Sequence, residues 1–249
     1  MESNKAFHLG CEQGDLGETV ILTGDPKRCS QIAKYFDNSK LIADVREYVS
    51  YTGYLNNKKI SVVSTGIGGP SAAIAVEECY ALGARNFIRV GTCGGISKDV
   101  KPGDLVIATG AVRQDGTTKE YAPIEFPAVA DFELTHCLKK AAEKNNYPYH
   151  LGIVQSKDSF YGQHSPQTKP VSYELINKWE AYKKLNVLCS EMECSTIYCV
   201  SSYLKARAAC VLLCILNQEL EIEEPTSKEA LNTEKAIVTA IEAIKNFNF

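Results

Sequence analysis

Asn86-Phe87-Ile88-Arg89-Val90-Gly91-Thr92-Cys93-Gly94-Gly95 is the stretch on which the fold turns. Its first half, Asn86 to Val90, is an apolar run with the length and branching of a buried strand. From Arg89 onward the run ends in two consecutive glycines. A cation, a hydroxyl and backbone amides free of side-chain bulk therefore meet at the carboxyl end of a strand. Open α/β sheets bind ligands at that end, and this chemistry suits a phosphate-sized anion. A tight turn carrying a surface arginine is the other reading of the same residues.

Outward from this run, strand-like and helix-like segments alternate. Thr19 to Thr23 reads as a buried strand, followed by a turn at Gly24-Asp25-Pro26 and helical spacing from Lys27 to Phe36. Ile60 to Ser64 is a second strand, closed by Thr65-Gly66-Ile67-Gly68-Gly69-Pro70. Ser71 suits a helix N-cap, and Ala72 to Leu82 is rich in helix formers. Asp104 to Ala108, Leu151 to Gln155 and Ala208 to Leu216 complete the apolar strands. Asp131 to Asn145 and Ser227 to Asn246 have amphipathic helical spacing. The alternation predicts an α/β protein: one domain over residues 1–249, with a central mixed, largely parallel sheet flanked by helices. Lys157 to Ser172, with its prolines, Gln163 and His164, is the candidate functional loop.

At 249 residues, 45% hydrophobic and 23% charged, the chain has the balance of an ordinary globular protein. A net charge of −3 without any basic block argues against a nucleic-acid partner. The 10 cysteines are scattered with no Cys-x-x-Cys pair. Cys189, Cys194, Cys199, Cys210 and Cys214 lie in apolar surroundings typical of buried thiols rather than of disulfides or zinc ligands. No apolar region follows Met1-Glu2-Ser3-Asn4-Lys5, and Ala208 to Leu216 is too short to span a bilayer. A reduced, cytoplasmic protein without a membrane partner is the expectation.

Gly66-Ile67-Gly68-Gly69-Pro70-Ser71 sits where a dinucleotide fingerprint would. Its third glycine is replaced by Ser71, and the following strand ends in Arg89 where an acidic residue would hold ribose hydroxyls. Only the 2′-phosphate of NADP would suit such an arginine. The loop reads better as a helix entry that needs close backbone approach.

Several runs carry a resemblance together: Phe7-His8-Leu9-Gly10, Gly24-Asp25-Pro26-Lys27-Arg28, Arg46-Glu47-Tyr48, Ser64 to Glu78, and Arg89 to Gly95. Further along stand Ile124 to Phe132, Phe160-Tyr161-Gly162-Gln163-His164 and Glu191-Met192-Glu193. In this order they resemble the nucleoside phosphorylase family, which contains uridine and purine nucleoside phosphorylases, and within it the uridine phosphorylases most closely. The resemblance implies reversible phosphorolysis: phosphate attacks C1′ of a nucleoside, giving a free base and α-ribose 1-phosphate. It implies a phosphate site from Gly24, Arg28, Arg89 and Thr92, with Arg46 contributed by a neighbouring subunit. It implies ribose contacts from Glu193, Met192 and the neighbour's His8, and a base site around Phe160, Gln163 and Glu191. Arg89, Glu193 and Arg28 are the expected catalytic residues. The active unit is then a dimer or hexamer, with nucleoside and phosphate as the ligands. No organic cofactor is required. A potassium site between subunits, from Glu47, Ile67 and Ser71, is also implied.

The residue types suit that chemistry. Phosphate is a weak nucleophile and must be held in line by fixed donors while the ribose becomes cationic. Arginines from separate segments supply bidentate, charge-assisted bonds worth about 1.5–3 kcal/mol each. Taken singly, Arg28 reads equally as a solvated helix charge and Arg46 as a partner of Glu47 or Asp44. Glu193 reads as an ordinary helix start, and His8 as a terminal residue. Their joint order and spacing favour a site.

The chain departs from its relatives at the base. An arginine expected after the Phe-Tyr-Gly-Gln run is matched by Thr168, and a second, expected after Asn217, is replaced within Gln218-Glu219-Leu220-Glu221. Uridine is the leading substrate. Inosine or guanosine is the alternative, raised by the loss of both arginines; Asn217, standing where many relatives have a purine-protonating aspartate, speaks against it, although an asparagine can still hydrogen-bond a 6-oxopurine. A nucleoside hydrolase is a third reading.

Overall fold

Every residue of β1 (Thr19–Thr23) is buried, as its unbroken apolar run requires. Val20 and Leu22 enter one core and Ile21 the other, so this strand lies in the middle layer of three. The computed structural model describes residues 5–221 and 232–247. After β1 come α1 (Pro26–Ala33), β2 (Asp37–Val45), β3 (Tyr48–Leu55), β4 (Lys58–Ser64), α2 (Gly69–Ala81), β5 (Asn86–Gly95) and β6 (Leu105–Gln114). Next are α3 (Thr117–Tyr121), β7 (Ala128–Val129), α4 (Phe132–Lys144), β8 (Tyr149–Lys157), α5 (Phe160–His164) and α6 (Ser172–Lys184). β9 (Cys189–Glu191), α7 (Cys194–Tyr203), β10 (Arg207–Asn217) and α8 (Glu234–Asn246) complete the order.

The strands form one mixed sheet in the order β10-β6-β8-β9-β5-β1-β4-β3-β2, with β7 on β6 and a further pairing of β10 with β5. That last pairing closes β5, β10, β6, β8 and β9 into a ring, from which β1, β4, β3 and β2 extend. The pairings β4–β1–β5–β10 and β6–β8–β9 are parallel. Within each group the carboxyl ends therefore lie together, and the two groups meet through the antiparallel pairings β10–β6 and β5–β9. Helices α2 and α7 cover one face around Val76, Phe87, Ile197 and Leu212. Helices α1, α4 and α8 cover the other around Ile32, Ile88, Leu138 and Ile241. The α/β architecture expected from the sequence is the one observed.

Local differences have physical causes. The Gly94–Gly95 pair does not end β5 in a turn: Gly94 lies between Leu216 of β10 and Ser190 of β9, so the strand runs on to Gly95. Helix α2 starts at Gly69 rather than after Ser71, whose hydroxyl instead donates back to the carbonyls of Ile67 and Gly68 at 3.2 Å. The β2–β3 hairpin escaped the sequence because β2 is an edge strand with largely exposed, polar residues. Helix α7 escaped it for the opposite reason, since eight of its residues are buried and leave no amphipathic period. Residues 227–231 of the expected last helix lie outside the described residues. All ten cysteines are free thiols and nine are buried. No described helix is long and apolar enough to cross a membrane.

Candidate active site

A cleft of about 680 Å³ opens where the parallel strands end. β1 delivers Gly24 and, one turn into α1, Arg28; β5 delivers Arg89, Gly91 and Thr92; β8 delivers Lys157; β9 leads into Met192 and Glu193. Phe160 and Gln163 come from α5, on the loop singled out in the sequence.

Arg89 is the centre of the arrangement. Only 4% exposed, it donates from Nε to Glu191 Oε2 at 3.1 Å and from Nη2 to Glu193 Oε2. Burial alone would lower its pKa, but Glu193 and Glu191 outweigh burial and hold the cation above its ordinary value. Its Nη1 is buried and makes no hydrogen bond among the described residues. A buried guanidinium nitrogen left unpaired is costly unless a ligand completes it. Gly91 makes this pose feasible, because a Cβ there would stand 2.9 Å from Arg89 Nη2 and 2.9 Å from Leu212 Cδ2.

Arg28 faces the same space, donating to Thr23 Oγ1 at 2.9 Å and Val90 O at 3.4 Å. Burial and then the neighbouring Arg89 pull its pKa down. Two guanidiniums that disfavour each other's charge make a place for an anion. Glu193 Oε1 accepts the Gly68 amide at 2.7 Å, which ties the glycine loop to the site. Gly66 and Gly68 both have positive φ, 66° and 97°, so the loop is a glycine-dependent helix entry that also walls the cleft through Gly66 and Ile67.

Glu191 lines the cleft and braces it. Its carboxylate accepts from Arg89, from Ser156 Oγ and from the amides of Glu193 and Cys194, and the residue is 3% exposed. Saturated in this way, it positions Arg89 and the start of α7. Around the far end of the cleft a polar chain runs from Lys157 Nζ to Ser190 Oγ at 2.6 Å, and from Ser190 Oγ to Gln163 Oε1 at 2.7 Å. Gln163 Nε2 then donates to Gln218 Oε1 at 3.2 Å. The Phe160 ring is half exposed over this end, its centroid 4.2 Å from that of His164.

The cleft thus brings together Gly24, Arg28, Arg89, Thr92, Phe160, Gln163, Glu191, Met192 and Glu193 of the residues expected from the sequence. Three expected residues lie elsewhere. Arg46 is exposed in the β2–β3 turn at φ 54°. His8 is held away by Glu78, whose carboxylate takes its Nδ1 at 2.6 Å and the amides of His8 and Leu9. Thr168 is a correction. It sits on the short helical turn Pro166–Thr168, exposed, its hydroxyl spent on Ser165 O at 2.8 Å, and it does not line the cleft. Ser156, Lys157, Ser190 and Gln218 were missed by sequence reasoning. The one available signal was a lysine closing an apolar strand just ahead of Phe160.

Asn217 is fully buried, and its amide donates to Ser97 O at 2.8 Å and Val100 O at 2.7 Å while its Oδ1 accepts the Glu219 amide. It braces the end of β10 and does not line the cleft. Glu47, Ile67 and Ser71 adjoin one another at the glycine loop, where Ser71 Oγ donates to Ile67 O and the Glu47 side chain packs on Gly66.

The phosphorylase superfamily model matches residues 18–246 of this chain. A uridine phosphorylase of Treponema pallidum is 50% identical to it, over 96% of this chain and 93% of that protein. A uridine phosphorylase of Thermococcus kodakarensis is 41% identical, over 98% and 87%. A guanosine phosphorylase of Halorubrum lacusprofundi is 38% identical, over 96% and 98%.

Proposed function

This chain belongs to the phosphorylase superfamily, and on that premise we propose that it catalyses the reversible phosphorolysis of uridine to uracil and α-ribose 1-phosphate. The observation that carries the reading is the buried, unpartnered Nη1 of Arg89 beside Arg28 in a cleft that also holds Glu193. Two cations with an unfilled donor suit phosphate, and a carboxylate beside them suits the ribose hydroxyls.

In the proposed reaction Arg28, Arg89, Gly24 and Thr92 hold the phosphate dianion below the anomeric carbon. Glu193 accepts from the sugar hydroxyls, with Met192 against the ring. An oxygen of phosphate forms its bond to C1′ as the C1′–N1 bond breaks and its electron pair passes to the base. The phosphate ester then gives up its remaining proton, and the base anion takes one up. Arg46 and His8 lie away from the cleft of their own chain, which supports their donation to a neighbouring copy in a dimer or hexamer. Glu47, Ile67 and Ser71 offer hard oxygen donors of the kind an alkali cation takes, and would hold a potassium ion that stiffens the glycine loop. Free thiols throughout suit a cytoplasmic enzyme of nucleoside salvage.

The commitments of Asn217 favour uridine over a purine, since both its amide hydrogens are spent on backbone carbonyls and none is left for purine N7. The 38% identical guanosine phosphorylase is the reason to include guanosine in the test. Purified protein is expected to release uracil from uridine only with inorganic phosphate, and to leave inosine and guanosine largely intact. Equal release in phosphate-free buffer makes it a hydrolase; faster turnover of inosine than uridine makes it a purine enzyme.

A further inference from the structure

The base leaves as an anion, yet in the proposed reaction the cations at the other end of the cleft serve the phosphate. Arg89 is clamped between two carboxylates, and Arg28 points to Thr23 and Val90. At the end that carries Phe160 and Gln163, the cleft is lined by a third cation, Lys157, the last residue of β8. It is 6% exposed and forms no ion pair among the described residues; its one hydrogen bond there is to Ser190 Oγ. An ammonium that is desolvated, unpaired and only partly hydrogen-bonded costs several kcal/mol to bury, on the order given for uncompensated ions. Nothing in the fold of β8 calls for a lysine there, since the preceding Val154, Gln155 and Ser156 are all buried.

Lys157 also sets the polarity of its neighbours. An ammonium only donates, so Ser190 Oγ must accept from it and pass its single proton to Gln163 Oε1. Gln163 is thereby fixed with Oε1 as acceptor and its NH₂ group as donor, one hydrogen going to Gln218 Oε1 and leaving one to offer a carbonyl oxygen. The side chains of Lys157 and Gln163 form a wall shared with a second cavity of about 580 Å³ behind them. The charged groups that act on Lys157 are Glu191 and Glu193, with the thiols of Cys189 and Cys93.

We propose that Lys157 is the cation of the base subsite, its ammonium facing the departing pyrimidine and stabilising the charge that gathers on the carbonyl oxygens as the C1′–N1 bond breaks. The proposal rests on the phosphorolysis reading for its substrate, and it gives to a lysine of β8 the cationic role of the arginine that is missing at Thr168. No proton transfer from Lys157 is required: the electron pair stays on the base, and the ammonium lowers its energy by charge and hydrogen bonding.

The full chain is compared with Lys157→Met and Lys157→Arg at neutral pH. Cleavage is followed for uridine and for 5-nitrouridine, whose base departs far more readily as an anion. Binding is followed by calorimetry for 5-nitrouracil, anionic under these conditions, and for neutral uracil. The Met variant is expected to lose about 10²-fold in kcat/KM on uridine, near the value for one lost charge-stabilising donor, and at least fivefold less on 5-nitrouridine. Its affinity for 5-nitrouracil should fall about tenfold or more and that for uracil less than threefold, with the Arg variant recovering part of each loss. Equal losses on both substrates and both bases, or a Met variant that behaves as wild type, overturn the proposal. Because Met matches the length of the buried stem and removes a desolvated charge, it should fold. Lys157→Arg, and the ratio between substrates, read the same charge independently of any general loss of activity. A wild-type protein that cleaves no uridine but binds 5-nitrouracil through Lys157 sinks the phosphorolysis reading while leaving the charge role standing.

Discussion

The two ends of the cleft are built differently. The phosphate and ribose end rests on strand termini and ionic clamps: Arg89 between Glu191 and Glu193, with Glu191 itself saturated by Ser156 and the start of α7. The base end rests on a short helix and a chain of uncharged groups, Ser190, Gln163 and Gln218, fed by a single ammonium. Ionic clamps between buried groups hold one geometry, because breaking either partner strands a charge. Amide and hydroxyl chains re-pair at small cost. A fold that keeps its reaction at one end and varies its base at the other is served by that division.

The contrast is sharpest at Arg89. Arg89→Ala is expected to lower kcat/KM for uridine by about 10²-fold or more. It also leaves Glu191 and Glu193 without their cation, so a drop in stability of roughly 3–5 kcal/mol should accompany it in thermal or denaturant unfolding. A change in kcat/KM below threefold would remove Arg89 from the site.

At the base end the charge of Lys157 should also be visible in the pH dependence. Burial brings the Lys157 pKa down to about 8, against the opposing pull of Glu191, Glu193, Cys189 and Cys93. The charged form is present below that value and lost above it. At saturating phosphate, kcat/KM for uridine should therefore fall about tenfold for each pH unit above 8. Lys157→Arg, charged throughout, should abolish this fall; a limb that stays in place belongs to another group. Gly91→Ala tests the clamp from beneath, since its new methyl meets both Arg89 and Leu212. A several-fold loss of kcat/KM with about 1–3 kcal/mol of overpacking is expected, and unaltered kinetics would show that the guanidinium tolerates displacement.

The same division governs what could be read from the sequence. Arg28, Arg89 and Glu193 were legible because charged residues close apolar strands or flank glycines, a pattern that survives without coordinates. The strands themselves were legible where burial on both faces makes unbroken apolar runs, as in β1 and β10. The edge hairpin β2–β3 and the buried helix α7 lack that contrast and were not. Lys157 was legible only as the start of a candidate loop, and Ser190 not at all, for a different reason: their meaning comes from the parallel pairing of β8 with β9, which sets Ser156 opposite Glu191 and Gln155 opposite Ser190. No local pattern announces a pairing between segments 35 residues apart.

Thr168 gives the smallest predicted effect and the most direct test of where the base end lies. Matching the chain to its relatives by order alone set Thr168 at a base anchor, which would require its hydroxyl to reach the cleft. Its hydroxyl instead closes a local turn onto Ser165 O, and Lys169 Nζ donates to that hydroxyl at 2.8 Å from the solvent side. Such a bond contributes about 0.5–1.5 kcal/mol to the turn and nothing to the base. Thr168→Ala is therefore expected to change kcat/KM for uridine by less than twofold, while Lys157→Met changes it by about 10²-fold. Were the order of those two effects reversed, the base would have to sit over the Pro166–Thr168 turn, and the polar chain through Ser190 would be a brace for β9 alone.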